Sequence, residues 1–169
     1  MLSGNVPGLS TFRHRSSSTP EGALVLTCCR VKPTVLLADD HAMVREALAE
    51  LVSVVAELIG QVTDGGQLVQ SARQLRPDII VTDVAMPVMS GLDALRKLKT
   101  EGSTARFIVL TVDADPRLAI EAMRVGASGY VLKRAAAEEL GEAIRAVADG
   151  RTYLSPLVIK NCPPGGDCQ

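Results

Sequence analysis

The chain has 169 residues, 47% of them hydrophobic, which suits one globular domain with a sizeable core. A net charge of −1 provides no global attraction to nucleic acid or to an acidic membrane surface. There is no Trp, and Phe12, Phe107, Tyr130 and Tyr153 are the only aromatics, so the core has to be built from Val, Leu, Ile and Ala.

Residues 1–32 carry Gly, Pro and the run Ser16-Ser17-Ser18 without helical or strand periodicity, and read as a disordered N-terminal extension. The apolar run Ala23–Leu26 follows Arg13, His14 and Arg15, but it is far too short to span a membrane. No small-residue cleavage pattern accompanies it, so the protein is read as cytoplasmic with no membrane partner. Val35–Ala38 is a short apolar run that ends in an acidic turn, and Met43–Val55 then carries a helical stripe of Val44, Leu48, Leu51 and Val55. Glu57–Val62 is a second, weaker strand closed by Asp64-Gly65-Gly66. A helix over Gln67–Arg76 stops at Pro77. Asp78–Asp83 is a third strand, and Gly91–Thr100 a helix with Leu92, Leu95 and Leu98 on one face. Phe107–Thr111 is a fourth strand, and Pro116 stands at the first turn of a helix over Arg117–Val125. Gly129–Lys133 is a fifth strand, followed by a helix from about Ala136 to Asp149 that Gly150 ends.

Residues 156–169 read as a short flexible tail, with Pro163-Pro164-Gly165-Gly166 near its end. Cys28, Cys29, Cys162 and Cys168 all lie outside the patterned region and show no C-x-x-C spacing. Free thiols are the preferred reading over a disulfide or a zinc site. Five apolar strands separated by helices predict one open parallel sheet with both faces covered, an α/β fold over residues 33–155.

In such a sheet, ligands bind beyond the carboxyl ends of the strands. The first strand here ends at Asp39 and Asp40, the third at Asp83, the fourth at Thr111 and the fifth at Lys133. Converging carboxylates are costly, since two like charges ~4 Å apart repel by roughly 4 kcal/mol at an effective dielectric of 20. A hard divalent cation removes that cost, and Mg2+ favours a few carboxylates together with waters and a phosphate oxygen. Lys133 could then hold a phosphoryl oxygen, Thr111 could donate a hydrogen bond to another, and Asp83 could act as nucleophile to form an acyl phosphate. Each residue alone has a plainer reading: Asp39 or Asp40 as a helix cap, Lys133 as a solvated strand end, Thr111 as an ordinary strand residue, Tyr130 as packing. His41 reads as an exposed residue at a helix start, and Met43, Met86 and Met123 as core filler.

These residues together resemble the response-regulator receiver family. Its signature stands here as Asp39-Asp40, Asp83-Val84-Ala85-Met86-Pro87-Val88-Met89-Ser90-Gly91, Thr111, and Gly129-Tyr130-Val131-Leu132-Lys133. The likeness runs from about Thr34 to Tyr153. Arg124–Lys133 and Asp149–Pro156 are similar to the NarL/FixJ group, whose members usually carry a LuxR-type DNA-binding domain, although no helix-turn-helix follows within these residues. Arg134 stands where many receivers have Pro, and Val112 where a smaller residue is common.

The resemblance implies a flavodoxin-like (βα)5 doubly wound sheet of order 2-1-3-4-5, a fold for which a chemotaxis receiver is a known example. It implies a phosphoacceptor signalling domain, not an enzyme beyond its own phosphorylation and dephosphorylation. Asp83 would take a phosphoryl group from a sensor histidine kinase. Mg2+ would be held by Asp40, Asp83 and the main-chain carbonyl of Ala85, and through water by Asp39. Lys133 would pair with the phosphoryl group, Thr111 would move toward it, and Tyr130 would change its burial. The output would be transcriptional, a homodimer through the last helices follows by analogy, and these residues alone would not bind DNA. A phosphatase of the haloacid-dehalogenase type would need a second Asp two residues after the nucleophile, where this chain has Ala85. A pseudo-receiver that binds partners without phosphate would not need all five signature residues.

Overall fold

The computed structural model describes residues 32–161. The four cysteines, nearly all of the expected N-terminal extension and the Pro-Gly segment lie outside the described residues.

The elements follow in chain order as β1 (Thr34–Ala38), α1 (Ala42–Val55), β2 (Glu57–Val62), α2 (Gly65–Leu75), β3 (Ile79–Asp83), α3 (Gly91–Thr100), β4 (Arg106–Thr111), α4 (Pro116–Val125) and β5 (Gly129–Leu132). A 3-10 turn over Lys133–Ala135 leads into α5 (Ala136–Ala148), β6 (Tyr153–Leu154) and α6 (Pro156–Lys160). The strands form one sheet of order β2-β1-β3-β4-β5-β6, with every pair parallel. The flavodoxin-like order expected from the sequence is present, with a short sixth strand added beside β5. Winding reverses between β1 and β3, so their carboxyl ends flank the crevice where such sheets place ligands.

Alternation within the strands splits the core in two. Leu36, Ala38, Ile80, Phe107, Val109, Tyr130 and Leu132 face α2, α3, α4 and α6. Val35, Leu37, Ile79, Val81, Ile108, Leu110 and Val131 face α1 and α5. With both faces buried, the strands read as continuous apolar runs instead of alternating ones.

Four local differences from the sequence reading have clear causes. The glycines after Asp64 do not close a turn but open α2, with the Asp64 side chain accepting from Gln67 N. Gly65 has to be glycine, because a Cβ there would lie 2.2 Å from the Met89 carbonyl oxygen. Lys133 is not the last residue of β5 but the first of the 3-10 turn, which swings its side chain over the rim. Met43 is not core filler, being 85% exposed on the first turn of α1, while Met86 is buried and Met123 partly so. Residues 156–161 do not behave as a flexible tail. Pro156 is the first residue of α6, and Val158 is fully buried in the α4-side core.

The amino ends of the strands are fastened by side chains. Thr34 and Asp78 bind reciprocally, with Thr34 N and Oγ1 donating to Asp78 Oδ2 at 2.8 and 2.7 Å, and Asp78 N donating to Thr34 Oγ1 at 3.0 Å. Those bonds hold the Asp78 carboxyl below the usual carboxylate range. Arg106 donates to the carbonyls of Val147 and Ala148 at the end of α5. Lys32 does the same for Ser53 and Val54 at the end of α1. Each cation meets the negative end of a helix dipole.

Candidate functional site

At the opposite rim, β1 runs into Asp39, whose side chain is fully buried, and then into Asp40, which is partly exposed. The turn between β1 and α1 is tied down at three points. Asp39 N donates to the Val62 carbonyl at 3.2 Å, Asp39 Oδ1 accepts from His41 N at 2.9 Å, and the Asp39 carbonyl accepts from Arg45 Nη1 at 2.8 Å. Arg45 sits one helical turn into α1, and nothing in the sequence singled it out.

β3 ends at Asp83, only 4% exposed, between the carboxyl ends of β1 and β4. Its backbone is approached so closely by α3 that a Cβ on Gly91 would lie 2.0 Å from the Asp83 carbonyl oxygen. Thr82, fully buried, donates from Oγ1 to that same oxygen at 3.0 Å. Gly91 and Thr82 thus hold the backbone that carries the Asp83 carboxylate.

Lys133 links the two acids, with Nζ 2.7 Å from Asp39 Oδ2 and 2.7 Å from Asp83 Oδ2. Burial works against its charge, but the bonds to Asp39 and Asp83 outweigh burial and hold the ammonium above the usual lysine range. One potential ligand atom from each of Asp39, Asp40, His41 and Asp83 lies within 4.8 Å of the others. Carboxylate oxygens of this number and proximity are the donor set that a hard divalent cation takes. His41, read from the sequence as a plain helix-start residue, is thereby a member of the cluster, although its side chain is 67% exposed.

The other predicted residues lie beside this cluster. The Ala85 amide faces Asp83 Oδ1 at 3.3 Å. Thr111 ends β4, nearly buried, and its Oγ1 accepts from Asp113 N at 3.1 Å within its own loop. Tyr130 is fully buried, and its hydroxyl donates to the Asp113 carbonyl at 3.4 Å. Burial pushes its phenol up to about 12, with a hydrogen bond to Thr111 acting the other way. Thr111 and Tyr130 therefore share one loop, from Asp113 onward, and neither belongs to the ionic cluster at rest. Val112 points outward at 81% exposure.

Compared with known proteins, residues 35–145 match the model of the response regulator receiver domain. The chain belongs to that family. Over 126 residues it is 36% identical to the response regulator GacA of Pseudomonas aeruginosa, an alignment that takes in 73% of this chain and 59% of the relative. It is 38% identical over 128 residues to the transcriptional regulatory protein YdfI of Bacillus subtilis, covering 75% of this chain and 60% of that protein. The chain therefore spans about 60% of the length of these curated relatives. Among solved structures, a two-component response regulator of the LuxR family from Aurantimonas sp. superposes with a TM-score of 0.73 at 31% identity, over 76% of this chain and 94% of that one.

As a receiver, the molecule is a signalling domain of two-component systems. Receivers bind Mg2+ at an acidic pocket, and the Asp-rich cluster stands at the rim where the fold places ligands. No helix among the described residues is long and apolar enough to cross a membrane.

Proposed function

We propose that this receiver accepts a phosphoryl group on Asp83 from the phosphohistidine of a sensor histidine kinase and passes the event to a transcriptional output. The observation that carries the reading is Asp83 itself, a nearly buried carboxylate at the winding reversal, its backbone held from behind and its side chain bridged by Lys133 to Asp39. A structural acid has no need of that company.

In this reading a carboxylate oxygen of Asp83 forms a P–O bond while the donor's P–N bond breaks, and the bonding pair leaves with the imidazole. Asp40, Asp83 and the Ala85 carbonyl would hold Mg2+, with Asp39 acting through water. Bound there, the ion offsets charge on the phosphoryl oxygens. Lys133 releases a carboxylate and takes a phosphoryl oxygen as a point charge. Thr111 gives up its contact with Asp113 N to donate to another oxygen. Tyr130 shares the same loop, so it repacks with that movement. Water later removes the group and restores the carboxylate.

A transcriptional output is supported by the relatives' names, but sequence-specific DNA contact is not assigned to these 169 residues. Lys160 is their sole basic residue after Tyr153, too little for a recognition face.

The test is incubation with acetyl phosphate and Mg2+ followed by intact-mass measurement. The parent gains one phosphoryl group and Asp83→Asn gains none. Equal labelling of the two overturns the assignment.

A further inference from the structure

At the end of the sheet opposite Asp83, a cavity of about 390 Å³ opens between the end of α2 and the turn from α3 into β4. That volume is of the size that small-molecule sites have. Ala72, Pro77, Leu98 and Ala105 line it and are themselves buried, which gives it an apolar floor. One wall is an ion pair that joins the two helices. Arg73 donates from Nε to Glu101 Oε2 at 2.9 Å and from Nη2 to Glu101 Oε1, so these two charges offset each other. Arg76 lines the cavity too, and its side chain forms no hydrogen bond or ion pair among the described residues. Its backbone is left-handed, at φ 48° and ψ 57°, where it caps the end of α2. Glycine or asparagine usually takes that place, because a Cβ is crowded in this conformation, and Pro77 restricts the residue before it further. Ending α2 therefore asks for no guanidinium at Arg76, and the one present is free to meet a ligand. Ser103 Oγ accepts from Ala105 N at 3.3 Å, which leaves its proton to donate, and Thr104 adds a second hydroxyl to the lining.

We propose that this cavity binds a small monocarboxylate, with Arg76 gripping the carboxylate and the apolar floor covering the ligand's body. The fork of a guanidinium matches both oxygens of a carboxylate. Ser103 and Thr104 are placed to donate to any further oxygen of the ligand. Charge decides between a monoanion and a phosphate. With Arg73 and Glu101 paired, Arg76 is the one uncompensated charge of the lining. α2 and α3 both end here, and the negative ends of their dipoles repel an anion. A single negative charge is offset by Arg76, whereas a second would face those helix ends without a counterion. The cavity shares no residue with the acidic rim and lies at the other end of the sheet, so its ligand is bound independently of Asp83.

Benzoate is the probe, with benzamide as its neutral counterpart and inorganic phosphate as the more highly charged anion. The full chain, isotopically labelled for NMR, is titrated with each while its backbone amide shifts are followed. Benzoate should give saturable shifts centred on residues 72–77 and 98–105, with half-saturation at millimolar concentration. Arg76→Gln should weaken binding roughly tenfold, the scale of losing a hydrogen-bonded charge. Arg76→Gly should weaken it as much while keeping or raising the urea midpoint, since glycine relieves the left-handed backbone. Lost binding in a fully folded variant is what a purely structural Arg76 would not give. Shifts that fail to saturate, benzamide or phosphate binding as tightly as benzoate, or full affinity in Arg76→Gly would each overturn the proposal.

Discussion

At the scale of single residues, the site's chemistry depends on which charges have partners. Lys133 is the sole cation within ion-pair distance of Asp39 among the described residues, apart from the His41 ring if protonated. Lys133→Ala should therefore lower apo stability by about 3 kcal/mol, because removing one partner strands a buried carboxylate. Urea unfolding checks this, and adding Asp39→Asn to Lys133→Ala should recover much of the loss, a coupling that independent sites would not show. Val88 presents a different kind of strain. It sits at φ 68° in the loop after β3, with 88% of its surface exposed. A β-branched residue in the left-handed region costs roughly 1 kcal/mol or more, so Val88→Gly should raise the urea midpoint, and a lower midpoint would show the strain is absent. Asp39, Asp40, Asp83 and Lys133 were legible because strand ends in a parallel sheet converge wherever the strands can be found. His41, Arg45 and Thr82 were not, since their parts depend on how one turn is braced and on how closely α3 approaches β3. Those are properties of backbone geometry that residue spacing does not encode.

At the scale of elements, the five strand–helix units were legible from apolar runs and helical stripes, because each is long enough for a period to repeat. The last two elements were not. A two-residue strand and a five-residue helix show no period, and Pro156, read as the start of a flexible tail, is in fact the first residue of α6. Their support is tertiary. Tyr153 N donates to the Ser128 carbonyl and Ser155 N to the Tyr130 carbonyl, and Val158 fills the core beside α4. Val158→Ala should cost about 2 kcal/mol of stability, as loss of well-packed methyl groups does. Hydrogen exchange should quicken over residues 153–160 in that variant. A change within error in both measurements would mean that α6 adds nothing to the fold.

At the scale of the whole molecule, the amino end of the sheet titrates with acid through the Asp78 clamp. Its carboxyl is held below its ordinary value of 3.8 by the Thr34 bonds. The stabilising contribution is therefore present above about pH 4 and is lost as pH falls through the lowered folded value. Urea midpoints measured downward from about pH 5 should fall more steeply in the parent than in Asp78→Asn, and parallel slopes would count against the clamp.

The same clamps set the base of the sheet apart from the loop after β4. Side chains staple strands to one another and to helix ends at the base, through Thr34, Asp78, Arg106 and Lys32. At the rim Lys133 joins the ends of β1 and β3, whereas the loop after β4 is held by the bonds of Thr111 and Tyr130 to Asp113. The loop after β4 leads directly into α4, which packs beside α6.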